Sequence, residues 1–328
     1  MDWKSFKQRF STAGPGATAS FTLPSVLLEI QPDFVAAVRL AASGKRLREV
    51  RHIHVTQLAP ETVVPNASHP NIAKEDAARE AAVSAISAIG NGAERLGLLL
   101  SDAVARVAVL SFETLPDDRR EAEALVRWRL GESLPYPVDE ARVSYQVAAT
   151  QPGHFEVLAM AGRNSVLSQY QAALGPASGS ATLVLPATMA LLPLVPERLD
   201  VGQLLVHLCC GWVTTVVIFG DRVRFWRTRP VRPAPEDALR DVATEASRVM
   251  AASRDHLQVE MGHVWVCARP AASPWLEGEL ARVTGCPVKD LAPDPELLSL
   301  LVGEERILFE RYGATAAGLV QNVAEGRQ

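Results

Sequence analysis

Cysteine is scarce in this chain: four among 328 residues, at 209, 210, 267 and 286. That number and spacing exclude the disulfide framework of a small secreted domain. Long apolar runs are missing as well. No stretch reaches the length of a membrane span, and the N-terminus lacks the apolar core of a signal peptide. The formal net charge is only -4, so no global basic field speaks for nucleic acid. The Gly-x-Ser-x-Gly elbow is absent, and no Ser-His-Asp or Cys-His-Asp set can be assembled from local spacing. These absences lead to the expectation of a cytoplasmic protein.

What is present is an ordinary globular composition, 48% hydrophobic and 21% charged. The length suits two domains, or one elaborated domain, with cores that need neither disulfides nor metals. The N-terminal "MDWKSFKQRF" places Trp3, Phe6 and Phe10 on one helical face, opposite Lys4, Lys7 and Arg9. Such a helix suits an anionic membrane surface or a partner's groove, and equally a frayed end tucked against the body. The following Gly-, Ser-, Ala- and Pro-rich stretch reads as a tether.

Along the chain, "SVLLEIQP" and "FVAAVRLA" are strand-length apolar runs parted by a Gln31-Pro32-Asp33 turn, and "LREVRHIHVTQL" alternates with Val50, His52 and His54 facing one way. The last two could share a metal, but no third ligand is evident nearby, and a solvated or cross-strand role is the simpler reading. A helix ending at Gly90 and a buried strand "RLGLLLS" follow. Next comes a small strand–helix–strand–strand set, from "ARVAVLSF" to "HFEVLAMAGR", and then a helix with Asn164 as its expected N-cap. The second half repeats the plan: three strands from Leu204 to Trp226, turned at Gly220-Asp221, then a long helix, the strand "HVWVCA" and further helices. This is mixed α/β with a duplicated architecture rather than plain Rossmann alternation.

The stretch "FETLPDDRREAEALVRWRLGESLPYPVDEARVSYQV" resembles the PilM family of type IV pilus assembly proteins. The resemblance lies in Leu115-Pro116, a helix carrying Trp128, the bracket Leu134-Pro135-Tyr136-Pro137, and Tyr145 to Val147. "VTGCPVKDLAPDPELL" and the closing "YGATAAGLVQ" extend it, so that it runs from Val26 to Gln321. It implies an actin-like, ribonuclease H-like duplicated α/β fold of two lobes around a central cleft, with a small α+β insertion in the first. The expected boundaries are 1–24 for the N-terminal segment and tether, 25–192 for the first lobe with its insertion at 102–154, and 193–328 for the second lobe. It implies a scaffold peripheral to the inner membrane that binds the N-terminal tail of a single-pass PilN-like protein. Bilayer contact and self-association are compatible with that plan; nucleic acid is not expected. The cytoplasmic domain of the type II secretion protein GspL is a related alternative, and an ATP-dependent actin-like enzyme is a second.

Actin-like nucleotide sites use an Asp beside Gly at a hairpin in each lobe, the Gly letting backbone N–H groups converge on phosphate and the Asp placing a hydrated divalent ion. The first hairpin here reads Glu29-Ile30-Gln31-Pro32-Asp33-Phe34: it lacks the glycine, and proline removes a donor. In the second, His207 stands where the Asp would be, Cys209 replaces the first Gly, and Gly211 follows. The strand "HVWVCA" runs into Arg269-Pro270 where a Gly-Gly turn is usual, and only Gly318 of the last helix is retained. The expectation is a pseudo-ATPase with no catalytic residue and neither ATP nor magnesium as cofactor.

Other chemistry is weaker. Cys209 and Cys210 are adjacent, so in a strand they would point to opposite faces, a poor start for zinc. Cys267 reads as a small buried hydrophobe, and Cys286 has no evident activator. Arg222, Arg224, Arg227, Arg229 and Arg232 form either a solvated sheet face or a seat for an acidic partner or anionic lipid. For the partner groove the candidates are Arg127, Trp128, Leu134, Pro135 and Tyr136; the bland reading of Trp128 and Leu134 is the insertion's own core.

Overall fold

Residues 23–43, 46–90, 96–151, 153–175, 181–270 and 274–325 are described by a computed structural model. They fall into two compact units. One takes the described residues of Thr22–Ala105, Arg163–Leu194 and Ala292–Gln328; the other takes those of Arg106–Gly162 and Val195–Leu291.

The first unit is built on β1 (Val26–Ile30), β2 (Phe34–Ser43), β3 (Arg46–Gln57), β4 (Leu96–Leu100) and β8 (Ala181–Pro186), in the order β3-β2-β1-β4-β8. β1 to β3 form an antiparallel meander, and β4 and β8 add parallel to it. Every residue of β1 and β4 is buried, as expected of central strands covered on both faces. On one face, Val26, Leu28, Ile30, Leu96, Leu98 and Leu100 pack under α1 (Glu75–Ala88) and α3 (Asn164–Ala173). Each fully buried Val, Leu or Ile there contributes about 1.5–3 kcal/mol. Two more helices of this unit, α4 (Ala187–Leu191) and α8 (Ala314–Glu325), pack against one another, and α8 also reaches β3.

The second unit repeats the topology. Strands β9 (Arg198–Cys209), β10 (Trp212–Gly220), β11 (Arg222–Pro230), β12 (Met261–Arg269) and β13 (Val288–Asp290) are ordered β11-β10-β9-β12-β13, again a meander extended by parallel strands. The face carrying Leu204, Val206, Val213, Val217, Val264 and Val266 packs under α5 (Pro235–Ala252) and α6 (Pro274–Thr284). A three-stranded sheet of β5 (Ala105–Phe112), β7 (His154–Arg163) and β6 (Ala141–Gln151), with α2 (Arg119–Gly131), lies within this unit. There Arg224 of β11 meets Glu156 of β7 at 3.4 Å. The duplicated α/β plan expected from the sequence is thus present.

Three local expectations are corrected. Val50, His52 and His54 do not share a face: Arg39 pairs with His52 but Leu40 with Val50, so β3 carries a bulge at Arg51 that turns Val50 into the core beside Ile53. Asn164 is not the N-cap of α3. Arg163 holds that position and makes no side-chain cap bond, while Asn164 is already helical. Cys209 and Cys210 do not point to opposite faces, because Cys210 has left the strand. The sequence reading also passed over β8 and α7 (Gly303–Tyr312). The apolar run from 181 to 195 fits either period, and tertiary packing splits it into β8 and α4. In α7 the charged, half-exposed decad gives little periodic signal.

Candidate functional site

In the β1–β2 hairpin, strand alternation sends Glu29 and Gln31 away from the face that Leu28 and Ile30 present to α1. Both side chains are buried, Glu29 to 3% exposure. The Gln31 amide donates to Glu29 Oε1 at 2.8 Å, and the hydroxyl of Thr315, near the start of α8, donates to Oε2. Each carboxylate oxygen therefore already has a donor from its own unit. Gln31 N–H donates to the Phe34 carbonyl across the turn, and Pro32 has no N–H to offer. Asp33 is exposed. Gly318 of α8 has a packing role: a Cβ there would lie 2.0 Å from the Ala190 carbonyl oxygen of α4.

The β9–β10 hairpin turns on Cys210 and Gly211, at φ 46° and 80°, between the paired residues Cys209 and Trp212. Two successive left-handed residues make a type I′ turn, the hand that matches strand twist, and the first of them usually is Asn, Asp or Gly. That conformation folds Cys210 back, so its sulfur lies 3.6 Å from that of Cys209. On the parallel neighbour β12, Arg269 pairs with Cys209 and Cys267 with His207, while on β10 Thr214 pairs with His207. Paired residues project to the same face, so His207, Cys209, Thr214, Cys267 and Arg269 form one strip opposite the apolar core. All five are buried, His207 to 1% exposure and Cys209 to 5%.

Arg269 Nη2 stands 3.2 Å from His207 Nε2. A guanidinium only donates, so Nε2 accepts and the ring proton of neutral His207 sits on Nδ1. The Cys209 thiol is held down at about 6, first by the hydrogen bond from Cys210, with the Arg269 charge and His207 adding to it and burial opposing. Cys286 is the contrast, with burial pushing its thiol up. Among the described residues, no set of three or more His, Cys, Asp or Glu side chains could hold a metal ion.

The groove candidates are separated by the fold. Arg127 Nη2 donates to the carbonyls of Val138 (2.8 Å) and Ala141 (3.2 Å), fastening α2 to the start of β6. Tyr136 is buried, Leu134 half-buried and Pro135 exposed. Trp128 on α2 is 63% exposed, so it is surface rather than core. The five arginines each face a carboxylate of their own unit: Arg222 meets Asp221, Arg224 meets Glu156, Arg227 and Arg229 meet Glu245, and Arg232 meets Asp237 and Asp241. The Arg232 hydrogen bonds hold the Asp241 carboxyl at about 2. Trp3, Phe6 and Phe10 lie outside the described residues.

Sequence reasoning missed Thr315 as the donor to Glu29, Arg269 as the partner of His207, and the buried pair Asp102–Thr188. The Asp102 carboxylate accepts the Thr188 N–H at 3.0 Å and its hydroxyl as well, capping α4. A Ser-Asp after a buried strand is the one local signal that could have suggested a cap.

No family model matches the chain, and no curated protein does. Solved structures do. A chain of a PilM–PilN type IV pilus biogenesis complex superposes with a TM-score of 0.75 at 17% identity, over 93% of this chain and all of that one. A Bacteroides thetaiotaomicron protein of actin-like ATPase fold and unknown function matches at TM-score 0.50 and 7% identity, over 88% of this chain and 93% of that one. The cytoplasmic domain of EpsL from Vibrio cholerae, an inner-membrane component of the type II secretion system, gives 0.45 at 13%, over 74% and 81%. At these identities the shared property is the fold: the chain has the actin-like ATPase fold.

Proposed function

We propose that this chain is a cytoplasmic scaffold of a type IV pilus or related secretion machine, and that it binds the N-terminal tail of a PilN-like inner-membrane protein without hydrolysing ATP. The observation that carries the reading is the superposition on a chain of the PilM–PilN complex over nearly the full length of both. The insertion sheet with α2 supplies the surface for an extended tail. Trp128 is its exposed aromatic anchor, on the same helix that Arg127 fastens in place. The N-terminal aromatic face of Trp3, Phe6 and Phe10 would lie on the bilayer or on the partner.

The residues present do not fit ATP and magnesium. A hydrated divalent ion is best served by a carboxylate turned to its waters, whereas each Glu29 oxygen here accepts a hydrogen bond from the protein, one from Gln31 and one from Thr315. A phosphate wants convergent donors without a competing anion. In the second hairpin Arg269 is committed to His207 and lies opposite Cys209, whose thiol it helps to lower. Gly318, retained in the sequence, is accounted for by its approach to Ala190.

Calorimetry tests both halves. A synthetic peptide of the N-terminal tail of a PilN-like protein is expected to bind saturably, and Trp128→Ala to weaken it by tenfold or more, a loss of about 1.4 kcal/mol. ATP with magnesium is expected to give no saturable heat. A peptide that does not bind refutes the scaffold reading, and micromolar ATP affinity refutes the pseudo-ATPase.

A further inference from the structure

The β9–β10 turn carries a feature that neither a scaffold nor a lost nucleotide site requires. A type I′ turn is satisfied by Asn-Gly, yet Cys210 occupies the left-handed first position at φ 46°. The result is two sulfurs on consecutive residues only 3.6 Å apart. Cys209, the inner one, is buried; Cys210, the outer one, is half-exposed at the hairpin tip. Arg269 and His207 flank the inner sulfur from β12 and β9. We propose that Cys209 and Cys210 are a redox-reactive dithiol that a hydroperoxide converts to a vicinal disulfide.

The roles follow from position. Cys210 is the sulfur that an oxidant reaches, and Cys209 is the resolving sulfur. The two sulfurs share one proton across the 3.6 Å S–H···S contact, and the Arg269 guanidinium and His207 beside Cys209 favour loss of the other. As Cys210 attacks the peroxide, the shared proton passes to Cys209. The O–O bond breaks, Cys210 becomes a sulfenic acid, and the departing oxygen takes a proton from solvent to leave as water or an alcohol. Cys209 Sγ then attacks Cys210 Sγ; the S–O bond breaks, the S–S bond forms, and hydroxide leaves with the Cys209 proton as a second water. Two electrons leave the sulfurs and the peroxide receives them. The sulfurs must close from 3.6 Å to about 2.05 Å, which side-chain rotation supplies. Consecutive Cα atoms are held about 3.8 Å apart, below the range of about 4.4–6.8 Å of relaxed disulfides. The ring is therefore easily reduced, as a reversible rather than a structural bond is.

The purified full chain, reduced and then exposed to stoichiometric hydrogen peroxide, is expected to lose about 2 Da with no oxygen adduct. The loss should map to the peptide carrying both Cys209 and Cys210 and be reversed by dithiothreitol. Cys210→Ser should abolish the loss, and Cys209→Ser should leave a dimedone-reactive sulfenic acid on Cys210. The double variant Cys267→Ser with Cys286→Ser should retain the loss. Arg269→Gln is a positioning variant, expected to lengthen the lifetime of the Cys210 sulfenic acid about tenfold without moving its final oxidation state. If the cysteine variants do not fold, phenylarsine oxide added to the wild-type chain reads the same geometry: it should protect two thiols, Cys209 and Cys210, from iodoacetamide at one arsenical per chain. Oxygen adducts of 16 or 32 Da on either sulfur without ring closure, oxidation confined to Cys286, or failure of the arsenical to protect the pair overturns the proposal.

Discussion

Gly318→Ala separates a packing glycine from a relic of nucleotide binding. In α8 the alanine methyl would sit 2.0 Å from the Ala190 carbonyl oxygen, 3.1 Å from its carbon and 3.3 Å from Leu191 Cα, all backbone atoms of or beside α4. A carbon–oxygen contact relaxes at about 3.3–3.6 Å, so α8 and α4 must part by more than about 1 Å. Helix propensity works the other way, since Ala in place of Gly in a helix interior is favourable by about 0.8–1 kcal/mol. Overpacking of this kind costs about 1–3 kcal/mol and occasionally more. With a clash against backbone on both atoms of a carbonyl, the upper part of that range applies. The net expectation is destabilisation of about 1–2 kcal/mol, or several degrees in Tm for a unit of this size. Urea denaturation followed by circular dichroism reads it, with Gly318→Ser as a second variant of the same sign. Unchanged or raised stability would refute the close approach, and with it the packing explanation for this glycine.

Other outcomes follow from single contacts. Arg127→Ala strips two backbone carbonyls of a charged donor and is expected to cost about 1.5–3 kcal/mol, whereas exposed Trp128→Ala should stay within about 0.5 kcal/mol in the same melt. Asp102→Ala removes the cap of α4 and leaves a buried Thr188 hydroxyl, for an expected loss of about 1–3 kcal/mol; Asp102→Asn should recover part of it. The folded Cys209 pKa of about 6 lies below its ordinary value of 9.0, so the thiolate's contribution is fully present above the unfolded pKa and is lost as pH falls through 6. The stability gap between wild type and Cys209→Ser should accordingly be largest at pH 9 and smallest at pH 5; a gap that is flat with pH, or widens in acid, contradicts the depressed pKa.

The elements legible in the sequence were those with a local cause. Strand-length apolar runs in 26–43 and 204–226 and the turn residues Gly90 and Gly220 predicted strands and stops that are all found. The bulge at Arg51 was not legible, since one extra residue reverses the face of every later side chain while leaving composition untouched. Nor was the approach of Cys210 to Cys209, because adjacency implies opposite faces unless a positive φ intervenes, and cysteine gives no signal for one.

By itself the sequence determined most of the duplicated order of strands and helices, β8 and α7 apart, because apolar runs and turn chemistry act over a few residues. It also determined that both hairpin words lack the Asp–Gly pair, because identity alone settles which donors a position can offer. Tertiary structure alone decided what those altered residues do instead. Thr315 reaches Glu29 across 286 positions, Thr188 reaches Asp102 across 86, and Arg269 reaches His207 across 62. Such partners are set by which strands and helices become neighbours in the folded sheet, and the polar groups buried by that arrangement must find donors wherever packing brings them.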